Sequence, residues 1–414
     1  MTIYKADTKF MKAPRTPVPP TLGLFEFVAL MALMTSLVAL SIDAMLPALI
    51  QIGEALHAKD PHEAHLIVSI FFGGMAFGQL FFGPYSDTRG RRETILLGIT
   101  IFVIGTVVCM MANDMTSMLI GRLIQAFGVS GPRVAAMAVI RDLYVGDAMA
   151  RVMSFIMMVF ILVPMLAPMV GQAVLTFFHW QHIFTLFLIV SIITGAWFMY
   201  RQPETLPADR RRKFTWLRFF VSTKFILTNV NVMGYTVAMG FIFGAFLGYL
   251  SASQTIFQEY YGLGTLFPFV FALLAFSIGL ASFFNGTMVV RYGMRKLVNI
   301  ALYGAVGFAA VMVVTLFLFG GLPPIKVLIP VMFVGFFFVG ILFGNLNALA
   351  MQPLGEMAGL GAAIIGSLSS LFAVPIALFI DSFLDGNLYP IGFGFLAFFS
   401  LAFVSVRFAD KDAH

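Results

Sequence analysis

Long apolar runs, most of them close to the length of one bilayer crossing, alternate along this chain with short polar segments. A bilayer core takes roughly 20 apolar residues per helix. Runs of that kind lie near 25–48, 64–82, 94–112, 115–140, 152–177 and 183–200, and a second set near 225–249, 264–290, 297–319, 325–350, 358–381 and 388–406. The pattern predicts an all-α integral membrane protein with twelve transmembrane helices in two groups of six. The expected layout is an N-terminal tail at 1–24, a six-helix bundle at 25–200, a linker at 201–224, a second bundle at 225–407 and a tail at 408–414. The first apolar run is long and lacks a small-residue cleavage site, so it reads as a retained span.

Composition agrees: 60% of residues are hydrophobic and 11% charged, against about 25% charged in soluble domains. The net charge of +6 does not point to nucleic acid, because its distribution follows topology. One alternating set of loops, together with both tails, holds nearly all of the 25 Lys+Arg residues, seven of them in the linker "RQPETLPADRRRKFTWLRFFVSTK". The opposite loops hold only Lys59 and Lys326. By the positive-inside rule both termini are expected in the cytoplasm. The single cysteine, Cys109, sits in an apolar run and reads as a small buried hydrophobe.

Charges inside the spans carry the candidate chemistry. Asp43 is the one charge between Phe27 and Gly53. An intramembrane carboxylate is costly and marks a functional site by default. Burial favours its protonated form and a nearby cation opposes this, which is what a proton-coupled carrier requires. Glu26, about 25 Å away along the helix, reads as an interfacial charge. Arg122 and Arg133 lie in the fourth span, and arginine cannot shed its proton to escape the cost. Eleven residues at 100° each fall about 20° from three full turns, so both share one helix face, roughly 16 Å apart. That face, with Gln125 and Val129, is expected to look into a central cavity. Asp43 and Arg122 belong at similar depth and are expected to pair, directly or through water. Met45 and, in the tenth span, Asn345 are further candidate cavity residues, and of Asn345 and Asn347 only one is expected to face the cavity. "HAKDPHEAH" (His57–His65) matches no strong metal signature; its histidines, like His179 and His182, are expected to be solvated. No phosphate-binding G-x-x-x-x-G-K-[ST] sequence is present.

A weak repeat relates the halves. "GPYSDTRGRR" after span 2 and "GTMVVRYGMRK" after span 8 place Gly83 and Gly90 opposite Gly286 and Gly293 at an offset of 203. "GPYSDTRGRRETILL" resembles the loop motif of the major facilitator superfamily, with Gly83, Asp87, Gly90, Arg91 and Arg92 in place and Thr88 departing from it. "LIGRLIQAFGVSG" resembles its span-4 motif through Arg122, Gln125 and Gly128. "VPMLAPMVGQ" resembles its span-5 antiporter motif through Pro168 and Gly171, with Pro164 upstream. "LSIDAMLPAL", "IRDLY", "HWQHIF" and "PETLP" are similar to the bicyclomycin- and chloramphenicol-resistance type of drug:proton antiporter.

The resemblance implies the major facilitator fold, two pseudo-symmetric six-helix bundles, and not an enzyme. It implies a carrier without cofactor or metal, driven by the proton gradient, that works as a monomer in the bacterial inner membrane. Its partners would be a small-molecule substrate, protons and lipid. Asp87 would lock a cytoplasmic gate by pairing with Arg91 and with helix ends across the halves. Arg133 stands where the family usually has a small residue, and reads either as a recognition site for anionic or zwitterionic substrates or as a charge near the cytoplasmic mouth, solvated or paired locally. Multidrug export is the first expectation. An exporter dedicated to one metabolite, such as a siderophore or acidic product, is the second, and a channel or scaffold the third.

Overall fold

The computed structural model describes residues 22–58, 61–144, 166–208, 211 and 216–411, with Val152, Ile156 and Val163 between them. Among these residues eleven helical segments are long and apolar enough to cross a membrane, and Leu166–Phe177 is a shorter apolar helix. In the first half α1 (Leu24–Asp43) breaks and continues through a 3₁₀ turn (Leu46–Ala48) into α2 (Leu49–Ala55). Then follow α3 (Pro61–Arg89), α4 (Arg91–Met110), α5 (Met115–Leu143), α6 (Leu166–Phe177) and α7 (Gln181–Arg201). The second half holds α8 (Trp216–Thr228), α9 (Val230–Gln254) with a π-helical extension (Thr255–Tyr260), α10 (Phe267–Tyr292), α11 (Met294–Leu318), α12 (Ile325–Met351), α13 (Ala358–Asp381) and α14 (Tyr389–Lys411).

Side-chain capping and glycine geometry set several boundaries. The Asp114 carboxylate accepts from Ser117 N at 2.9 Å to start α5, and the Asn229 side chain accepts from Val232 N at 3.0 Å to start α9. Gly90 and Gly293, the equivalent repeat positions, take φ of 114° and 78° and join α3 to α4 and α10 to α11. Only glycine adopts such a φ without strain, so the repeat read from sequence is a shared backbone corner.

Packing inside the first half depends on small residues. A β-carbon at Gly128 of α5 would run into the Phe102 amide of α4, and one at Gly98 would meet Pro132. Lipid supplies no hydrophobic drive for helix association, so close backbone approach must hold such helices together. Large apolar side chains such as Phe177, Phe283 and Phe317 stand exposed on the outer surface, as a hydrocarbon solvent allows.

The two halves meet chiefly where α3 packs along α13, and where the break after α1 meets α9. Ser367 Oγ donates to Ala76 O at 2.8 Å near mid-length. One end of the bundle gathers the basic loops: Arg201 forks onto Glu26 with Nε and Nη2 at 2.7 and 2.9 Å, tying the end of α7 to the start of α1. This is the basic end of the bundle, and the other is the opposite end.

Three expectations need adjusting. The first span does not stop at 48 but runs on to Ala55 after its break. The end of the expected linker is helical, because α8 already begins at Trp216. Helix α14 continues to Lys411, past the expected boundary at 407. The N-terminal tail up to Thr21 lies outside the described residues, as does Pro164.

Candidate functional site

The break in the first span builds the site. Pro47 has no N–H to give the carbonyl four residues back. The turn tightens, Met45 N bonds Ile42 O at 3.3 Å, and the Ser41 carbonyl accepts from Arg122 Nη1 at 3.1 Å. Asp43, 6% exposed, sits at this break. Gly171 of α6 presses against the same turn, close enough that a β-carbon there would collide with the Ala44 carbonyl oxygen. Pro168, one turn earlier, is buried. Gly171 of the span-5 motif thus braces the helix break that carries the intramembrane carboxylate.

Arg122 is completely buried. Its Nε donates to Ile67 O at 3.2 Å, its Nη1 also donates to Gln125 Oε1 at 2.6 Å, and its guanidinium lies 4.2 Å from the centre of the Phe71 ring. Nη2 has no hydrogen-bond partner among the described residues. The charge is therefore held by carbonyl dipoles and an aromatic face rather than by an acid. The expected direct pairing with Asp43 is not formed: no ion pair or hydrogen bond joins the two side chains. Arg122 does reach the turn that carries Asp43, but the Ser41 carbonyl of α1 and the Ile67 carbonyl of α3 occupy the guanidinium.

Arg133 turns to α3 as well, with Nη1 at 2.9 Å from the Met75 sulfur. Ile67 and Met75 lie on the same helix, so the two arginines do share a face, as the spacing predicts. Arg133 is partly exposed and has no acidic partner among the described residues. The other expected cavity residues are closed off in this conformation. Met45 and Val129 are buried in apolar packing, and Gln125 is buried and donates to Thr106 Oγ1 at 2.8 Å. Asn345 is buried against α10, donating to Asn285 Oδ1 at 2.6 Å. Asn347 is the exposed member of the pair, on the helix face that carries Phe343 one turn earlier.

The loop motif forms a tight cluster at the basic end. Arg91 Nη1 donates to Asp87 at 2.7 Å and Ser86 at 2.9 Å, while Nε donates to Asp142 at 3.0 Å. Glu204, in the "PETLP" stretch, accepts from Arg91 N at 3.0 Å and Arg92 N at 3.2 Å, so a linker carboxylate caps α4 and meets its positive end. Gly90 is required here twice, since a β-carbon would strike the Glu204 carboxylate. Arg92 reaches back to Met199 O at 2.8 Å. These partners belong to the first half and the linker. The expected lock from Asp87 to the second half is not formed in this conformation; the Asp87 charge is spent on Arg91, and its side chain stays 46% exposed.

At the opposite end the halves are bonded together. His65 is 2% exposed, its Nδ1 meets Asp381 Oδ1 of α13 and its Nε2 lies 3.0 Å from Thr255 Oγ1 in the π-helical turn. Beside it Gln254 Nε2 donates to Pro47 O at 2.6 Å, and Gln254 Oε1 accepts from Ile50 N at 3.2 Å. The expectation that His65 is a solvated loop residue is therefore wrong. The helix starts earlier than the apolar run suggested, and its first turns insert between α13 and the end of α9. A polar residue one turn into a helix was the available signal.

Comparison with known proteins fits this geometry. Residues 31–378 match the Major Facilitator Superfamily family model. The chain is 30% identical over 352 residues to a bicyclomycin resistance protein homolog of Haemophilus influenzae, covering 83% of this chain and 85% of that one. It is 32% identical over 169 residues to the multidrug resistance protein MdtL of Salmonella heidelberg, covering 41% and 42% of the two chains. Among solved structures, the human organic anion transporter MFSD10 superposes with a TM-score of 0.69 at 16% identity, over 94% of this chain and all of that one. A two-half helical bundle joined by a linker, a glycine-cornered loop motif on both halves and a family match over most of its length together establish that the chain belongs to the major facilitator superfamily, as a multi-pass membrane transporter.

Proposed function

We propose that this chain exports lipophilic small molecules from a bacterial cell by exchanging them for protons through alternating access. It needs no cofactor beyond the proton gradient and acts as a monomer in the inner membrane. The Lys/Arg distribution supports placing both termini and the basic end in the cytoplasm, which makes the bonded opposite end the periplasmic one. The conformation described is then closed to the periplasm.

The observation that carries the reading is Asp43, a buried carboxylate at a break in the first span with no ionic partner among the described residues. Such a group binds a proton or a cationic substrate in alternation. Its link to α5 runs through the backbone: Asp43 and Ser41 belong to one distorted turn, and Ser41 O is held by Arg122. Protonation that reshapes the turn alters this bond and the position of α5. Relatives named for bicyclomycin and multidrug resistance support a drug-like substrate range. The test is uptake of fluorescent drugs into inside-out vesicles, with a pH-gradient dye read in parallel. Drug uptake that dissipates the gradient is expected. Uptake that persists unchanged after the gradient is collapsed would overturn the reading.

A further inference from the structure

Arg133 is a cation well inside a span that the coupling scheme leaves unused. It is partly exposed, carries no acidic partner among the described residues, and rests one guanidinium nitrogen on the Met75 sulfur. A thioether is a weak acceptor, so this charge keeps most of its hydrogen-bonding capacity. One turn from Met75 on α3, the Phe72 ring crosses to the second half and meets Phe243 edge-on at 5.1 Å. Phe243 contacts Phe343 at 5.9 Å, and Phe246 contacts Phe343 at 6.0 Å. Phe243, Phe246 and Phe343 are each partly exposed. Phe243 faces the other half, so this ring group lies toward the interior of the molecule. One half therefore holds a guanidinium with no acidic partner among the described residues and the other an aromatic group, linked through Met75 and Phe72 of α3.

We propose that this pairing recognises aromatic compounds bearing a carboxylate. The planar guanidinium fork matches a carboxylate in bidentate geometry, and edge-to-face contacts with the phenylalanines hold the ring system. Desolvating the Arg133 charge without an anion to meet it is costly, and this selects carboxylates over neutral isosteres. The proposal rests on the export reading for its physiological meaning, but its binding test does not.

The test is direct binding to the purified protein of naphthalene-2-carboxylate and of naphthalene-2-carboxamide, a neutral probe of nearly the same shape. The carboxylate is expected to bind the wild type at least ~10-fold more tightly, a margin of about 1.4 kcal/mol. Arg133→Gln should remove the preference while leaving carboxamide binding within about twofold, and Arg133→Lys should keep part of it because the charge stays but the fork is lost. Phe243→Leu should weaken both probes together. Equal affinity of the wild type for the two probes overturns the proposal, as does an Arg133→Gln variant that retains the preference or loses both probes equally. Drug-driven proton movement in vesicles is scored separately: its absence beside a normal carboxylate preference would refute the export reading and leave this one standing.

Discussion

Gln254→Leu isolates the bonds that hold the opposite end shut. Two of the Gln254 hydrogen bonds cross between the halves, to Pro47 O and from Ile50 N, while its third, to Gln258, stays within the second half. Each net hydrogen bond contributes about 0.5–1.5 kcal/mol. Losing two therefore weakens this closed state by about 1–3 kcal/mol relative to one in which water solvates the same groups, a shift of roughly 5- to 150-fold in the conformational equilibrium. The leucine matches the glutamine in size, so the change tests bonding more than packing. Double electron–electron resonance between spin labels at Ala55 and Glu259, exposed positions on the two halves, reads the separation directly. The native Cys109 is buried and is left unlabelled under mild conditions. The variant should populate a longer distance that is minor in the wild type. An unchanged distance distribution would refute the assignment of Gln254 as a cross-half latch, whatever happens to transport.

Other expectations follow from the same contacts. Gly171→Val should fold but transport poorly, since a side chain there drives into the Ala44 carbonyl; wild-type transport rates would contradict the bracing role. Glu204→Ala leaves two amides at the start of α4 without their acceptor and should cost about 1–2 kcal/mol of stability, in line with lost helix caps, seen as a lowered thermal midpoint in detergent. Asp142→Asn should be milder there than Asp142→Ala, because Arg91 Nε and Thr205 Oγ1 keep an oxygen to bond; equal losses would mean the charge, not the hydrogen bonding, dominates. Arg122→Lys should fail to restore wild-type transport, because a lysine cannot serve Ile67 O, Ser41 O and Gln125 at once with the guanidinium's geometry; full activity would show that only charge is needed.

Local rules in the sequence revealed the periodic and symmetric features. Apolar run lengths located the spans, and Gly90 and Gly293 marked equivalent corners because a positive φ demands glycine. Helical arithmetic put Arg122 and Arg133 on one face, and both meet α3. What the chain concealed depends on how distant segments dock. His65 meets a residue 316 positions away and another 190 away, so no window of sequence contains the latch. Similar depth suggested that Asp43 pairs with Arg122, but depth does not fix rotation about a broken helix, and backbone carbonyls took the guanidinium. The phase of α12 was equally silent: spacing separates Asn345 from Asn347 without saying which packs against α10.

Exchange of substrate and proton through Asp43 has a signature in the isolated protein. The most direct measurement is proton release when substrate is added to the purified, weakly buffered transporter. Wild-type protein is predicted to release protons in step with substrate occupancy, and Asp43→Asn to bind a neutral substrate without releasing any. Undiminished release from Asp43→Asn, at matched substrate occupancy, would rule out Asp43 as the proton carrier.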